Sequence, residues 1–161
     1  LALPWWTMSM SATVMGISYT FDASVYPYQA RVSAMGVSTS VPMNLWFGWA
    51  ALALVVIGGV LAIVGSILIT KGKMLLLVGG ILALLSIIIF AVGLQTELSK
   101  TTGLPTGIGL FGSGSISYMG TTMDYSTYLS FGFWLALVAA ILAFIAWMRH
   151  PIAEAAPPPP K

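Results

Sequence analysis

The sequence predicts an all-α integral membrane protein, with three transmembrane helices carrying a small extracytoplasmic β-rich cap built from a hairpin over residues 7–38 and a loop over 95–127. Three observations predict it. Stretches 32–70, 74–96 and 125–148 contain no Asp, Glu, Lys or Arg, and a bilayer core about 30 Å thick needs roughly 20 apolar residues of helix. Hydrophobic residues make up 58% of the 161 and charged residues 6%, against about 25% charged in an ordinary soluble domain, so such a surface cannot stay dispersed in water. Outside the longest apolar runs the chain alternates apolar and hydroxyl side chains with period two, the pattern of a half-buried strand.

Taken in order, residues 1–41 form the extracytoplasmic hairpin segment. Thr7-Met8-Ser9-Met10-Ser11-Ala12-Thr13-Val14 alternates apolar and hydroxyl side chains, and Gln29-Ala30-Arg31-Val32-Ser33-Ala34-Met35-Gly36-Val37-Ser38 is read as alternating again. Asp22-Ala23-Ser24 and Tyr26-Pro27-Tyr28 supply turn chemistry between them, because Pro fixes φ and Asp favours local backbone bonds. Pro42 suits a helix start, so the first transmembrane helix is predicted over 42–70. Lys71-Gly72-Lys73 is too short to do anything but fold the second helix, 73–94, back beside the first. Residues 95–127 form an extracytoplasmic loop rich in Gly, Ser and Thr, in which Ile116-Ser117-Tyr118-Met119 fits either a further strand or flexible chain. The third helix is predicted over 128–148. Residues 149–161 form a cytoplasmic tail ending in Pro157 to Pro160 and Lys161, an extended polyproline-type segment.

Lys71, Lys73, Arg149 and Lys161 fall on one side of these spans and Arg31 and Lys100 on the other, so the first side is assigned to the cytoplasm. The N-terminal segment and loop 95–127 are then extracytoplasmic and the C-terminus cytoplasmic. A start at Leu1-Ala2-Leu3-Pro4 in place of Met carries the expectation that a signal peptide, in preference to an earlier helix, precedes this segment in the encoded chain.

Composition removes several classes of function. Six Lys and Arg against four Asp and Glu make no footprint for nucleic acid. With no cysteine, disulfides, thiolate metal sites and cysteine nucleophiles are excluded. Pumps and secondary transporters hold ionisable groups at membrane depth, and these spans hold none. No phosphate loop, nucleophile elbow or His-Glu-x-x-His motif occurs. No catalytic, cofactor-binding or metal-binding residue is therefore assigned, and no cofactor is expected.

The residues that do form patterns are small. Val56-Ile57-Gly58-Gly59-Val60-Leu61-Ala62 and Leu77-Val78-Gly79-Gly80-Ile81-Leu82-Ala83 resemble each other as composition alone would make them. Their stripes carry more information: Gly58, Ala62, Gly65 and Ser66 on one helix, and Gly79, Ala83, Ser86 and Gly93 on the next, let two backbones approach where lipid supplies no hydrophobic drive. Trp46, Trp49, Trp134 and Trp147 lie near span ends and read as membrane-interface anchors. Trp5 and Trp6 either pack the hairpin on the bundle or dip into the outer leaflet. Asp22, Glu97 and Asp124 are too scattered to mark an acid/base set or a cation site and read as solvated loop charges. His150 complements a helix C-terminus.

An outer β-rich segment opening with Leu3-Pro4-Trp5-Trp6, two helices joined by a tight inner turn, a shorter outer loop and a last helix together resemble claudin-type tetraspan proteins from the end of their first helix onward. The family's Gly-Leu-Trp motif and paired cysteines do not occur in these 161 residues. The resemblance implies adhesion, barrier or accessory-subunit roles. The expected function is that of a non-catalytic structural or accessory subunit of a multi-subunit membrane complex, stabilised by helix packing and an outer cap. Its partners are membrane lipids and other integral membrane subunits or copies of itself, with no nucleic acid. The alternatives are a homo-oligomeric envelope or virion membrane protein and, behind it, a pore-forming subunit.

Overall fold

A computed structural model describes residues 3–42, 45–68, 71–100, 108–118 and 121–149. The elements run β1 (Trp6–Val14), β2 (Ile17–Val25), β3 (Gln29–Ala34), β4 (Val37–Pro42), α1 (Trp46–Ile67), α2 (Gly72–Lys100), β5 (Gly112–Tyr118), β6 (Thr121–Leu129) and α3 (Phe131–Arg149). All six strands belong to one antiparallel sheet of order β4-β3-β2-β1-β6-β5. The predicted His150 role and the polyproline tail fall outside the described residues.

This corrects the all-α class. Strands make up 34% of the described residues, so the β part is a full layer of the molecule and not a small cap of one hairpin over 7–38 plus a loop over 95–127. The reason lies in the turns. Met15-Gly16 and Met35-Gly36 both have positive φ at each residue, 51° and 81° in the first, 51° and 80° in the second. That is the two-residue hairpin turn whose twist matches the strands it joins. Gly accepts this backbone freely while Met does so rarely, so Met-Gly does not advertise a turn as Asn-Gly does. Alternation read straight through Met35-Gly36 merges β3 and β4 into one strand. Reading Asp22 as a turn residue hides β2, where Asp22 stands mid-strand opposite Ser9. The chain does reverse at Tyr26-Pro27-Tyr28, closed by Tyr26 N–H donating to the Gln29 carbonyl at 2.8 Å. Within the segment 95–127 the described residues include the last turns of α2, up to Lys100, and the paired strands β5 and β6, Tyr118 pairing with Thr121.

All three helices are long and apolar enough to cross a membrane. Their 22, 29 and 19 residues correspond to about 33, 44 and 29 Å. α2 thus outruns a bilayer core by about 14 Å, and its end, Gln95-Thr96-Glu97-Leu98-Ser99-Lys100, is polar enough for water. α2 is the central helix and packs on both α1 and α3, which scarcely touch each other. An open sheet with two unpaired edges has no place in hydrocarbon. It stands at the α1 N-terminal end of the bundle, the bases of β1, β2 and β6 buried at Trp6, Val25 and Leu129 and the tips at Met15 and Met35 exposed. The main core lies at that junction, where Trp5, Trp6, Met8, Val25 and Leu129 meet Phe47, Ile87, Phe90, Leu94 and Phe133.

Candidate functional site

Small residues hold α1 and α2 together in a ladder of period seven. Gly65 faces Gly72, and a Cβ on Gly65 would stand 2.9 Å from the Gly72 carbonyl oxygen. One step on, a Cβ on Gly58 would stand 2.8 Å from the Gly79 oxygen and one on Gly79 2.7 Å from the Gly58 oxygen. Further toward the sheet, buried Ser86 donates its hydroxyl to the Ala51 carbonyl at 2.7 Å. At the sheet end the Phe47 ring lies directly over Gly93. Positions 51, 58 and 65 thus meet 86, 79 and 72, a seven-residue repeat suited to antiparallel helices that keep one seam facing. Ala62 and Ala83 flank the middle step: the Ala62 nitrogen would be 3.0 Å from a Gly79 Cβ and the Ala83 nitrogen 3.2 Å from a Gly58 Cβ. Ser66 lies off the seam, exposed, with its hydroxyl turned to the Ile63 carbonyl at 2.7 Å. The stripe-based reading omits Ala51 and Gly72, which the spacing of seven identifies. On its other side α2 receives α3 through small residues too, Ala136, Ala140 and Ala143 being buried and the Phe144 ring lying against Gly80.

The tryptophans divide by position. Trp46, Trp49 and Trp134 are exposed at the sheet end of α1 and α3, and Trp134 Nε1–H donates to the Leu129 carbonyl at 3.0 Å. Trp147 sits at the opposite end, with the Lys73 ammonium 5.8 Å from its ring centroid. Trp5 and Trp6 are buried at the junction of sheet and bundle. The Trp5 ring meets Phe90 edge-on at 4.9 Å and Phe133 at 6.4 Å between centroids. Its backbone donates to Val25 and accepts from Ser130, each at 2.9 Å, while Gly132 N–H donates to the Pro4 carbonyl. Trp6 Nε1–H donates to the Gly109 carbonyl at 3.2 Å. A Cβ at Gly132 would strike the Trp5 ring, so glycine there lets the indole seat on α3.

Strand register sorts the sheet into two chemically distinct faces. On one, Met8 pairs with Ala23, Met10 with Phe21 and Ala12 with Tyr19. On the other, Ser9 pairs with Asp22, Ser11 with Thr20 and Thr13 with Ser18, and Ser113, Ser115 and Ser117 of β5 meet Ser126, Asp124 and Thr122 of β6. The base of the apolar face is covered by Leu94, Leu98, Ile108 and Leu110. Its upper half is open and forms a groove of about 360 Å³ lined by residues that include Tyr19, Phe21, Ala34, Met35 and Met123.

Asp22, Glu97 and Asp124 lie on elements and not in loops. Ser9 donates to Asp22 and Ser115 to Asp124, both at 2.6 Å. Two inter-strand spacings and two register steps separate the aspartates, which puts their α-carbons about 12 Å apart at ordinary sheet spacings of about 4.8 and 3.4 Å, and both line one hollow on the hydroxylated face. Glu97 lies on α2 and is bonded to Lys100 at 3.0 Å, beside a hollow of about 310 Å³ that Trp46, Phe47 and Val92 help to line. Among the described residues no three His, Asp or Glu side chains gather as a metal site would require.

No protein-family model matches the chain, and no curated protein matches it. The claudin-type resemblance therefore rests on the order of elements alone. What the arrangement offers chemically is contact: a close-packed helical stem, an aromatic joint, and a sheet with one greasy and one hydroxylated face.

Proposed function

We propose that this protein is a non-catalytic structural subunit of a membrane assembly, its helices packed in the bilayer and its sheet held in the aqueous compartment as a contact surface. The observation that carries this reading is the open upper half of the apolar sheet face. Tyr19, Phe21 and Met35 lie 36%, 36% and 74% exposed at the end of the molecule farthest from the lipid, where a contiguous apolar patch marks a protein contact. The helical stem supports it: three spans packed through glycine and alanine form a platform, and Trp46, Trp49, Trp134 and Trp147 stand where indoles prefer the headgroup level. Lys71, Lys73 and Arg149 at the opposite end favour a cytoplasmic location for that end and an extracytoplasmic one for the sheet.

In the first version of this role the partners are other integral membrane subunits, with lipids around the stem. A homo-oligomeric envelope or virion protein is the second version, favoured by the uncharged strands at both edges of the sheet. Purification from native membranes in mild detergent, followed by identification of everything that comigrates, separates them. Stoichiometric foreign subunits support the accessory role, and a single-component assembly supports the homo-oligomeric one. Ion flux through liposomes containing this protein alone would overturn both in favour of a pore.

A further inference from the structure

We propose that strand β4 of one copy pairs with strand β5 of a second, so that the sheet continues from subunit to subunit along the membrane surface. The inference rests on the structural-subunit reading above and names its partner. Sheet edges in monomeric proteins are blunted by charge, by proline or by bulges that block pairing with a neighbour. Here the charges sit inside the sheet, Asp22 on β2, Arg31 on β3 and Asp124 on β6, while β4 and β5 carry none and the one proline of β4 is its last residue. All six residues of β4 are exposed, and among the described residues no strand pairs with the outer edge of either.

The bilayer chooses which edges can meet. Every copy stands the same way up in one membrane, so β4 always runs from tip to base and β5 from base to tip. Bringing β4 beside β5 of the next copy gives antiparallel pairing and continues the alternation of the whole sheet. Ser38 lies in one row with Ser33, Asp22, Ser9, Ser126 and Ser113, so a level contact sets Ser38 beside Ser113 of the next copy and leaves Val37, Thr39 and Val41 on the apolar side. A two-fold axis along the membrane normal would instead place β4 beside β4, parallel, with the apolar face of one copy continuing into the hydroxyl face of the other. Head-to-tail contact is therefore the compatible one, and such contacts close into rings or run on as rows.

Disulfide trapping in the full-length chain, in its native membrane, tests this cleanly because the sequence contains no cysteine. The pair Ser38→Cys with Ser113→Cys, which lie in one row of the sheet, should give a ladder of dimers, trimers and higher species on oxidation, and each single variant alone should stay monomeric on a non-reducing gel. Adding Thr39→Lys to the pair should abolish the ladder while leaving circular dichroism and thermal stability unchanged. Dimers from Ser38→Cys alone would overturn the proposal in favour of a two-fold edge. A monomeric gel for all variants, with foreign subunits comigrating, would overturn copy-to-copy pairing and leave the structural role standing. A monomer with no partner of either kind would overturn both.

Discussion

Gly58 and Gly79 are the residues at which the stem has no slack. Each would thrust a Cβ to within 2.7–2.8 Å of the other's carbonyl oxygen, closer than a methyl and an oxygen can stand, so the helices must part to admit one. Gly79→Ala should therefore cost roughly 1–3 kcal/mol, read as a lower thermal midpoint in detergent. Gly59 neighbours Gly58 in sequence but has nothing within 4 Å of its Cβ direction. Gly59→Ala should be neutral or stabilise by up to about 1 kcal/mol through helix propensity. Equal losses in the two variants would mean that glycine matters for its backbone freedom and not for the seam. The turns give a second residue-scale test: Gly16, with φ +81°, should lose roughly 1–2 kcal/mol on change to alanine, whereas Met15→Asn should raise the midpoint because asparagine enters that backbone more readily.

Between elements, the decisive joint is the aromatic one under the sheet. The sheet rests on the bundle through its strand bases, and Trp5 alone touches Phe90 of α2, Phe133 of α3 and the β2 backbone. Trp5→Ala should cost roughly 3–5 kcal/mol as a buried aromatic deletion and free the sheet from the helices, with far-ultraviolet dichroism retained and the near-ultraviolet aromatic signal lost. Trp134→Ala, at an exposed indole, should change stability by no more than about 0.5 kcal/mol. Element scale is also where sequence was most and least informative. The helices are legible because charge-free length is a one-dimensional property, and half of the glycine seam is legible because Gly58, Gly65 and Gly79 recur along single helices. The pairings of Gly65 with Gly72 and of Ser86 with Ala51 depend on how two helices align, and Gly72 reads only as part of a short basic turn. The sheet is half legible: β1 alternates openly, but β2 is masked by Asp22, whose carboxylate is satisfied across the strand by Ser9 and not by its own backbone. α2's last turns are masked because their hydroxyls bond back into the helix, Thr96 to Val92 and Ser99 to Gln95, where Ser and Thr more often signal a loop.

For the whole molecule, the proposed spanning of α1, α2 and α3 would fix which parts share a compartment. α1 leaves the sheet end and finishes at Ile67, α2 returns, and α3 leaves again to finish at Arg149, so Met15 and Lys100 belong to one side and Lys71 and Arg149 to the other. The basic residues at the latter end predict that it faces the cytoplasm. Because the sequence holds no cysteine, single cysteines report without background. Met15→Cys, at a fully exposed tip, should react with a membrane-impermeant maleimide in intact cells, and Lys71→Cys only after permeabilisation. The two outcomes that contradict this carry different meanings. A reversed pattern would invert the orientation but keep the spans, showing that four charges near the turn and the tail do not set topology here. Labelling of both positions from one side would remove α1 and α2 from the bilayer, and with them the reason for a glycine seam, since in water the same approach would be driven by burying the leucines and isoleucines that now face outward.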